Sequence, residues 1–230
     1  MFSEILYVIF LALDMTLLSS SRLLHCIRLV ALQGLLIGLM PLADAALRGE
    51  LRPAMALMAI VSIVVKAVLL PRLLSRAMRR AQVNRELEPL AGYSVSALAA
   101  LAMVALSFVA VRSLPLSEYT AHPLSVPVSL ITMLTGLFLI IARRKALTQA
   151  LGFLVFENGI TVFGIGMTLE NSFIVELGIL LDVLALVFIM GIAVFHINRE
   201  FAHIDTDRLN HLGDWSAQEP ELRTEQDEEE

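Results

Sequence analysis

The chain has 230 residues, 57% of them hydrophobic and 17% charged, with a mean hydropathy of +0.78. Soluble domains hold about half apolar and a quarter charged residues, so this composition excludes a soluble globular protein. The formal charge of −5 conceals two parts: residues 214–230 carry eight acids against Arg223, a net of −7, which leaves +2 for residues 1–213.

Apolar runs fall in order at 3–21, 28–47, 54–76, 91–112, 125–142, 147–168 and 173–197. About twenty residues of helix cross a hydrocarbon core of ~30 Å. The pattern predicts an all-α, polytopic integral membrane bundle of about seven transmembrane helices. The first run, from Ile5 to Leu18, lacks a basic start and a small-residue cleavage site, so it should stay as a helix rather than be removed as a signal peptide. In the second run, GLLIG at 34–38 has the spacing of small residues that lets helices pack closely. Pro41, Pro53, Pro115, Pro123 and Pro127 lie at or near segment ends, where a helix can stop or start. Beyond Leu212 the acidic, apolar-poor tail is expected to be disordered. Cys26 is the single cysteine, so no disulfide and no thiolate metal cluster can form within the chain.

Orientation follows from the cationic residues of the short loops. Arg22 and Arg28 flank the first loop. Arg72, Arg76, Arg79, Arg80 and Arg85 crowd the third, and Arg143, Arg144 and Lys145 fill the fifth. With Arg199, Arg208 and Arg223 of the tail they make thirteen, against Arg48, Arg52 and Arg112 on the other side. The expectation is an N-terminus outside and a C-terminal tail in the cytoplasm.

The seventeenth cationic residue, Lys66, lies inside the third run (IVVKAVLLP). Glu157 is at the midpoint of the sixth run, and Asp182 lies three residues from the midpoint of the seventh. Each such group costs ~2.5–3.5 kcal/mol to insert at a helix centre. Residues of this kind face the bundle interior and mark ion or proton pathways. All three are expected at nearly the same depth, as a transverse proton relay requires. Around Glu157, helical spacing places Ala150, Leu154, Thr161 and Gly164 on one face; Gly178 and Ala185 share the face of Asp182. Glu176, six residues before Asp182 and ~9 Å toward the outer side, is a candidate outer port.

Structural readings compete with each of these. Glu157 and Asp182 could be hydrogen-bonded staples of the bundle, and Lys66 could snorkel to an interface. Asp14 and Gln33 are read as interhelical hydrogen bonds, and His196, His203 and His211 as solvated surface. There is no phosphate loop, nucleophile elbow, HExxH or CxxC, so the chain by itself is not expected to be an enzyme or to hold a cofactor. The basic third loop obeys the positive-inside rule, and no nucleic-acid partner is needed to explain it.

At RRKALTQALGFLVFENG (143–159) the sequence resembles the K-type subunit of respiratory complex I and the C-type subunit of multisubunit cation/proton antiporters. Arg143, Arg144, Gly152 and Asn158 fall in that pattern. Leu154 occupies the usual Glu position, with Glu157 one turn on along the same face, and Asp182 stands where those families carry a second Glu. His196 and Ile204-Asp205 match their close. This likeness covers residues 126–205. Four additional N-terminal helices, VVKAVLLP (64–71), ENG, VELGILLD (175–182) and HIDTDRLNHL (203–212) are similar to component E of the hydrogenase-4 type, over nearly all of residues 1–213. That family comprises membrane subunits of formate hydrogenlyase and related NiFe-hydrogenase complexes.

The resemblance implies a bacterial or archaeal inner-membrane protein with two regions, a four-helix membrane part (1–124) and a three-helix part like the complex I K subunit (125–212); the acidic tail (213–230) follows them without a counterpart in the family. It implies a membrane-arm subunit beside antiporter-like subunits, a hydrogenase-anchoring membrane subunit and peripheral hydrogenase subunits. The nickel–iron centre and iron–sulfur clusters would belong to those partners. Proton translocation would fall to Glu157, Asp182, Lys66 and Glu176, supported by Asn158, Thr161 and Gly152. A cation/proton antiporter subunit and a purely structural spacer are the alternatives.

Overall fold

A computed structural model describes residues 2–20, 22–49, 52–80, 93–113, 120, 122–143, 146–167, 182, 183, 185, 187, 189 and 191. The chain divides into two compact units, Met1–Ile192 and Ala193–Glu230, and the second lies outside the described residues. The described residues of the first unit are almost wholly helical. Its helices are α1 (Phe2–Ser19), α2 (Leu23–Arg48), α3 (Pro53–Ile63), α4 (Leu70–Arg80), α5 (Tyr93–Ser113), α6 (Ser125–Ala142) and α7 (Ala146–Gly166). A π-helical segment, Val64–Leu69, joins α3 to α4 without a break.

Six of the seven expected segments fall on these helices. Among the described residues five helices are long and apolar enough to cross a membrane: Leu23–Arg48, Ala56–Arg79, Val95–Ser113, Ser125–Ala142 and Ala146–Gly166. The 18-residue α1, which carries Glu4 and Asp14, is not among the five. The seventh expected segment, 173–197, lies largely outside the described residues, although Asp182, Val183, Ala185, Val187, Ile189 and Gly191 are helical.

The ends of the helices follow from their sequences. Gly49 adopts φ +71 and closes α2, its N–H turned to the carbonyls of Ala45 and Ala46; a residue with a Cβ is strained there. Arg52 is extended ahead of Pro53, and Pro53 opens α3, where its missing N–H costs nothing. Pro41 does not end α2, which continues seven residues to Arg48; one lost backbone bond is tolerated inside a long apolar helix held by its neighbours. Pro71 has a larger effect. Its ring would clash with the carbonyl four residues back, and the turns before it widen to the π form, the Leu70 N–H reaching the Val65 carbonyl.

Helices α6 and α7 form an antiparallel hairpin turned at Arg143, which is extended. Glycines let the two backbones touch. A Cβ on Gly152 would lie 2.9 Å from the Gly136 carbonyl oxygen and 2.9 Å from the Ile140 nitrogen. One on Gly159 would lie 2.7 Å from the Met133 nitrogen. An isolated bridge between Thr120 and Met167 ties the open end of the hairpin. Helices α1 and α2 pack against this hairpin, and the core between them is filled by Phe10, Leu17, Ile37, Ile131, Leu151 and Val155.

The outward faces are apolar. On α5, Leu98 and Leu101 are each 68% exposed, and Leu57, Met58 and Ile60 of α3 are similarly bare. Contiguous exposed apolar surface of this extent suits a lipid environment and not water.

Candidate functional site

Lys66 sits in the π segment and is buried at 5% exposure. Gly34 of α2 makes that position possible: a Cβ there would stand 2.7 Å from the Lys66 carbonyl carbon and 2.8 Å from its Cβ. Four residues on, a Cβ at Gly38 would meet the Ala59 carbonyl oxygen at 3.1 Å. The GLLIG spacing thus serves to seat α3 and the π segment directly on the backbone of α2.

From this seat the Lys66 ammonium donates to Glu157 Oε1. It also lies 3.3 Å from Thr161 Oγ1 and 3.2 Å from Asp182 Oδ1. Thr161 donates its own hydrogen to the Glu157 carbonyl oxygen at 3.0 Å, which leaves its lone pairs free for Lys66. Glu157 is 1% exposed and Asp182 18%. The second carboxylate oxygen, Glu157 Oε2, is buried and has no hydrogen-bond partner among the described residues. One ammonium neutralises one carboxylate; the second acid of the triad carries an uncompensated charge in a dry place unless it holds a proton.

A second polar group lies alongside. Gln33 Nε2 donates to Asp14 Oδ1 at 2.8 Å, and Thr132 Oγ1 stands 2.6 Å from Asp14 Oδ2. Asn158, next to Glu157 in α7, directs Nδ2 to Gln33 Oε1 at 3.5 Å. Asp14, Gln33 and Thr132 are each fully buried. A third group joins the start of α1, the end of α2 and the residues before α6. Ser3 donates to Asp44 Oδ1, His122 Nε2 is 2.9 Å from Asp44 Oδ2, and the Tyr7 and His122 rings are 5.8 Å apart.

Of the candidates read from the sequence, Lys66, Glu157, Asp182 and Thr161 therefore meet in space. Asn158 points away from that triad toward Gln33. Gly152 is not at the charges at all; it serves the α6–α7 contact more than one turn away. Glu176, Gly178, His196, His203, His211 and the acidic tail lie outside the described residues. Asp14 and Gln33 do form the interhelical bond expected of them. Sequence reading missed the π segment, the Asp44–His122 pair and Thr132. Pro71 was a signal for the first. Hydroxyl residues three or four apart in α6, Ser125, Ser129, Thr132 and Thr135, were a signal for the last, since all four are fully buried. No spacing rule links Asp44 to His122. Among the described residues no three His, Cys, Asp or Glu side chains are placed to hold a metal ion.

Over 191 residues the chain is 34% identical to a Mycobacterium tuberculosis protein described as uncharacterized protein Rv0085, an alignment spanning 82% of this chain and 85% of that one. Over 149 residues it is 28% identical to hydrogenase-4 component E of Escherichia coli, strains K12 and O157:H7, spanning 65% of this chain and 69% of theirs. No family model matches the chain, and no solved structure gives a significant match.

Proposed function

This chain belongs to one family with the Mycobacterium tuberculosis protein Rv0085, and we propose that it is a multi-pass membrane-arm subunit of a hydrogenase-4-like redox complex. In this reading Lys66, Glu157 and Asp182 pass protons within the membrane. The distant similarity to hydrogenase-4 component E supports the assignment to a multisubunit membrane complex, and the apolar helices support the location. Antiporter-like membrane subunits, a hydrogenase-anchoring membrane subunit and peripheral hydrogenase subunits are the partners proposed. They would carry the nickel–iron centre and iron–sulfur clusters, and this chain would perform no covalent chemistry. The membrane is the cytoplasmic membrane of a bacterium or archaeon, with the C-terminus inside.

The observation that carries the relay is the sharing of one buried ammonium between two carboxyl groups. Lys66 can move its hydrogen bond between Glu157 and Asp182 by rotating a flexible side chain. A proton leaving one acid is then compensated by the ammonium turning to it, so neither intermediate strands a bare charge. The unpartnered Oε2 of Glu157 is where a transferred proton would be held. Its neighbour Thr161 offers a hydroxyl to the same cluster.

A spacer role is favoured by a different feature: the Lys66–Glu157 bond also ties the α3–α4 span to α7 and would hold the bundle without any titration. Glu157→Gln separates the two, because it retains shape and hydrogen bonding but cannot take up a proton. Purification through a tag in mild detergent, with mass spectrometry, should recover a NiFe-hydrogenase large subunit and antiporter-like proteins. Inverted membrane vesicles with the Glu157→Gln complex should then lose proton uptake while the complex stays assembled. Undiminished uptake would leave the spacer role, and recovery of antiporter subunits without redox chains would point to cation/proton exchange.

A further inference from the structure

We propose that Asp14 is a second proton-holding site, held between α1, α2 and α6 by Gln33 and Thr132 and set beside the Lys66–Glu157 cluster. This rests on the relay reading above and adds to it a carboxyl from outside the Lys66 triad.

The geometry around Asp14 satisfies both of its protonation states with no heavy atom moving. Thr132 Oγ1 has a single hydrogen and two acceptors in reach, Asp14 Oδ2 at 2.6 Å and the Val128 carbonyl oxygen at 2.9 Å. With Asp14 ionised, the Thr132 hydrogen points to Oδ2. When a proton binds Oδ2, the new O–H donates to Thr132 Oγ1, and the Thr132 hydrogen rotates to Val128. A separation of 2.6 Å suits an O–H···O bond in either direction. At the other oxygen, Gln33 Nε2 donates to Oδ1 at 2.8 Å, which is acceptable to a carboxylate and to the carbonyl oxygen of a carboxylic acid alike. A carboxyl kept only as a staple needs one of these states; the Thr132 fork provides for two.

Among the described residues no cation pairs with Asp14 to lock the ionised state. Between Ser125 and Ala142, α6 has no ionisable side chain, and α2 presents the neutral Gln33. Ionisable residues of α5 are confined to its ends, Tyr93 and Arg112. Within α1 itself the other ionisable residues are Glu4, ten residues away, and Tyr7, seven residues away. Gln33 Oε1 in turn lies 3.5 Å from Nδ2 of Asn158, the chain neighbour of Glu157 in α7.

Infrared difference spectroscopy of the whole purified complex in lipid, taken between low and high pH, reads the proton directly as a carboxylic C=O stretch. A titrating band should vanish in Asp14→Asn, persist in Glu157→Gln, shift in Thr132→Val and keep its position in Thr132→Ser. Proton uptake by inverted vesicles should fall about a hundredfold in Asp14→Asn, the scale of one lost proton-transfer group. The proposal is overturned if no titrating band depends on Asp14, or if uptake by Asp14→Asn vesicles equals wild type. Should Asp14→Asn fail to assemble, an unchanged band and unchanged uptake in Thr132→Val overturn it equally. Inactive Glu157→Gln beside fully active Asp14→Asn defeats this proposal alone, whereas active Glu157→Gln defeats the relay itself.

Discussion

Replacing Lys66 by Met keeps most of the length and the flexibility of the side chain and removes the ammonium, with its charge and its donors. At 3.2 Å, and with an effective dielectric of about 20, the attraction between Lys66 and Asp182 is on the order of 5 kcal/mol. Glu157 pairs with the same ammonium. These gross attractions offset the cost of taking three charges out of water, several kcal/mol for each ion. Remove the ammonium and both acids keep their desolvation cost, lose their partner and repel each other. The expected loss is about 3–5 kcal/mol, the range for breaking a buried pair from one side. Glu157→Gln, by contrast, leaves Lys66 with Asp182 and should cost about 1–3 kcal/mol. In the double variant one of the two stranded acids is gone, so the combined loss should fall short of the sum by ~0.5–3 kcal/mol. Unfolding of the purified chain in mixed micelles by increasing dodecyl sulfate measures all three. Strict additivity would refute the reasoning, since it would mean that Lys66 and Glu157 do not feel each other.

Four further expectations use the same unfolding assay. Gly152→Ala should cost about 1–3 kcal/mol by forcing α6 and α7 apart, because its Cβ would stand 2.9 Å from backbone atoms of α6. Gly49→Ala meets nothing within 4 Å and should cost only the backbone strain of φ +71, about 1–2 kcal/mol; an equal or larger loss than at Gly152 would contradict the packing described. Gln33→Leu should cost about 1–3 kcal/mol by leaving Asp14 Oδ1 without its donor, and Asp14→Asn should not add its full cost on top of it. Raising ionic strength should leave the Lys66–Glu157 coupling energy unchanged, since both groups are shielded from solvent; a fall with salt would mean that water reaches them.

The sequence made the helices legible because hydrocarbon imposes a simple rule, long apolar segments with satisfied backbones. It also exposed Lys66, Glu157 and Asp182, because a charge inside such a segment violates that rule and needs a partner. Equal depth was all that the sequence implied for them, and the structure puts both carboxyl groups within reach of the Lys66 ammonium. What escaped was long-range and side-chain specific. Asp14 and Gln33 were legible as interhelical bonds, but nothing in the sequence pairs them with each other or with Thr132 and Asn158 of two further helices. Gly152, expected to support the relay, proved to be a packing residue, since a glycine in a helix reads the same for either purpose. Pro41 was expected near a segment end, yet α2 runs through it, because tertiary packing outweighs one missing N–H.

The π segment also gives the third span a phase slip. Each residue of an α-helix advances by about 100°, so one residue of extra winding between Val64 and Leu69 turns α4 that far from where α3 would have aimed it. Leu70, Leu74, Ala77 and Met78 of α4 are thereby buried, while Leu57, Met58, Ile60 and Val61 of α3 remain bare. The span behaves as two short helices spliced out of register, with Lys66 at the splice. Deleting one residue between Val64 and Leu69 would heal the helix and, in the same stroke, rotate either the ammonium or the whole buried face of α4 out of place.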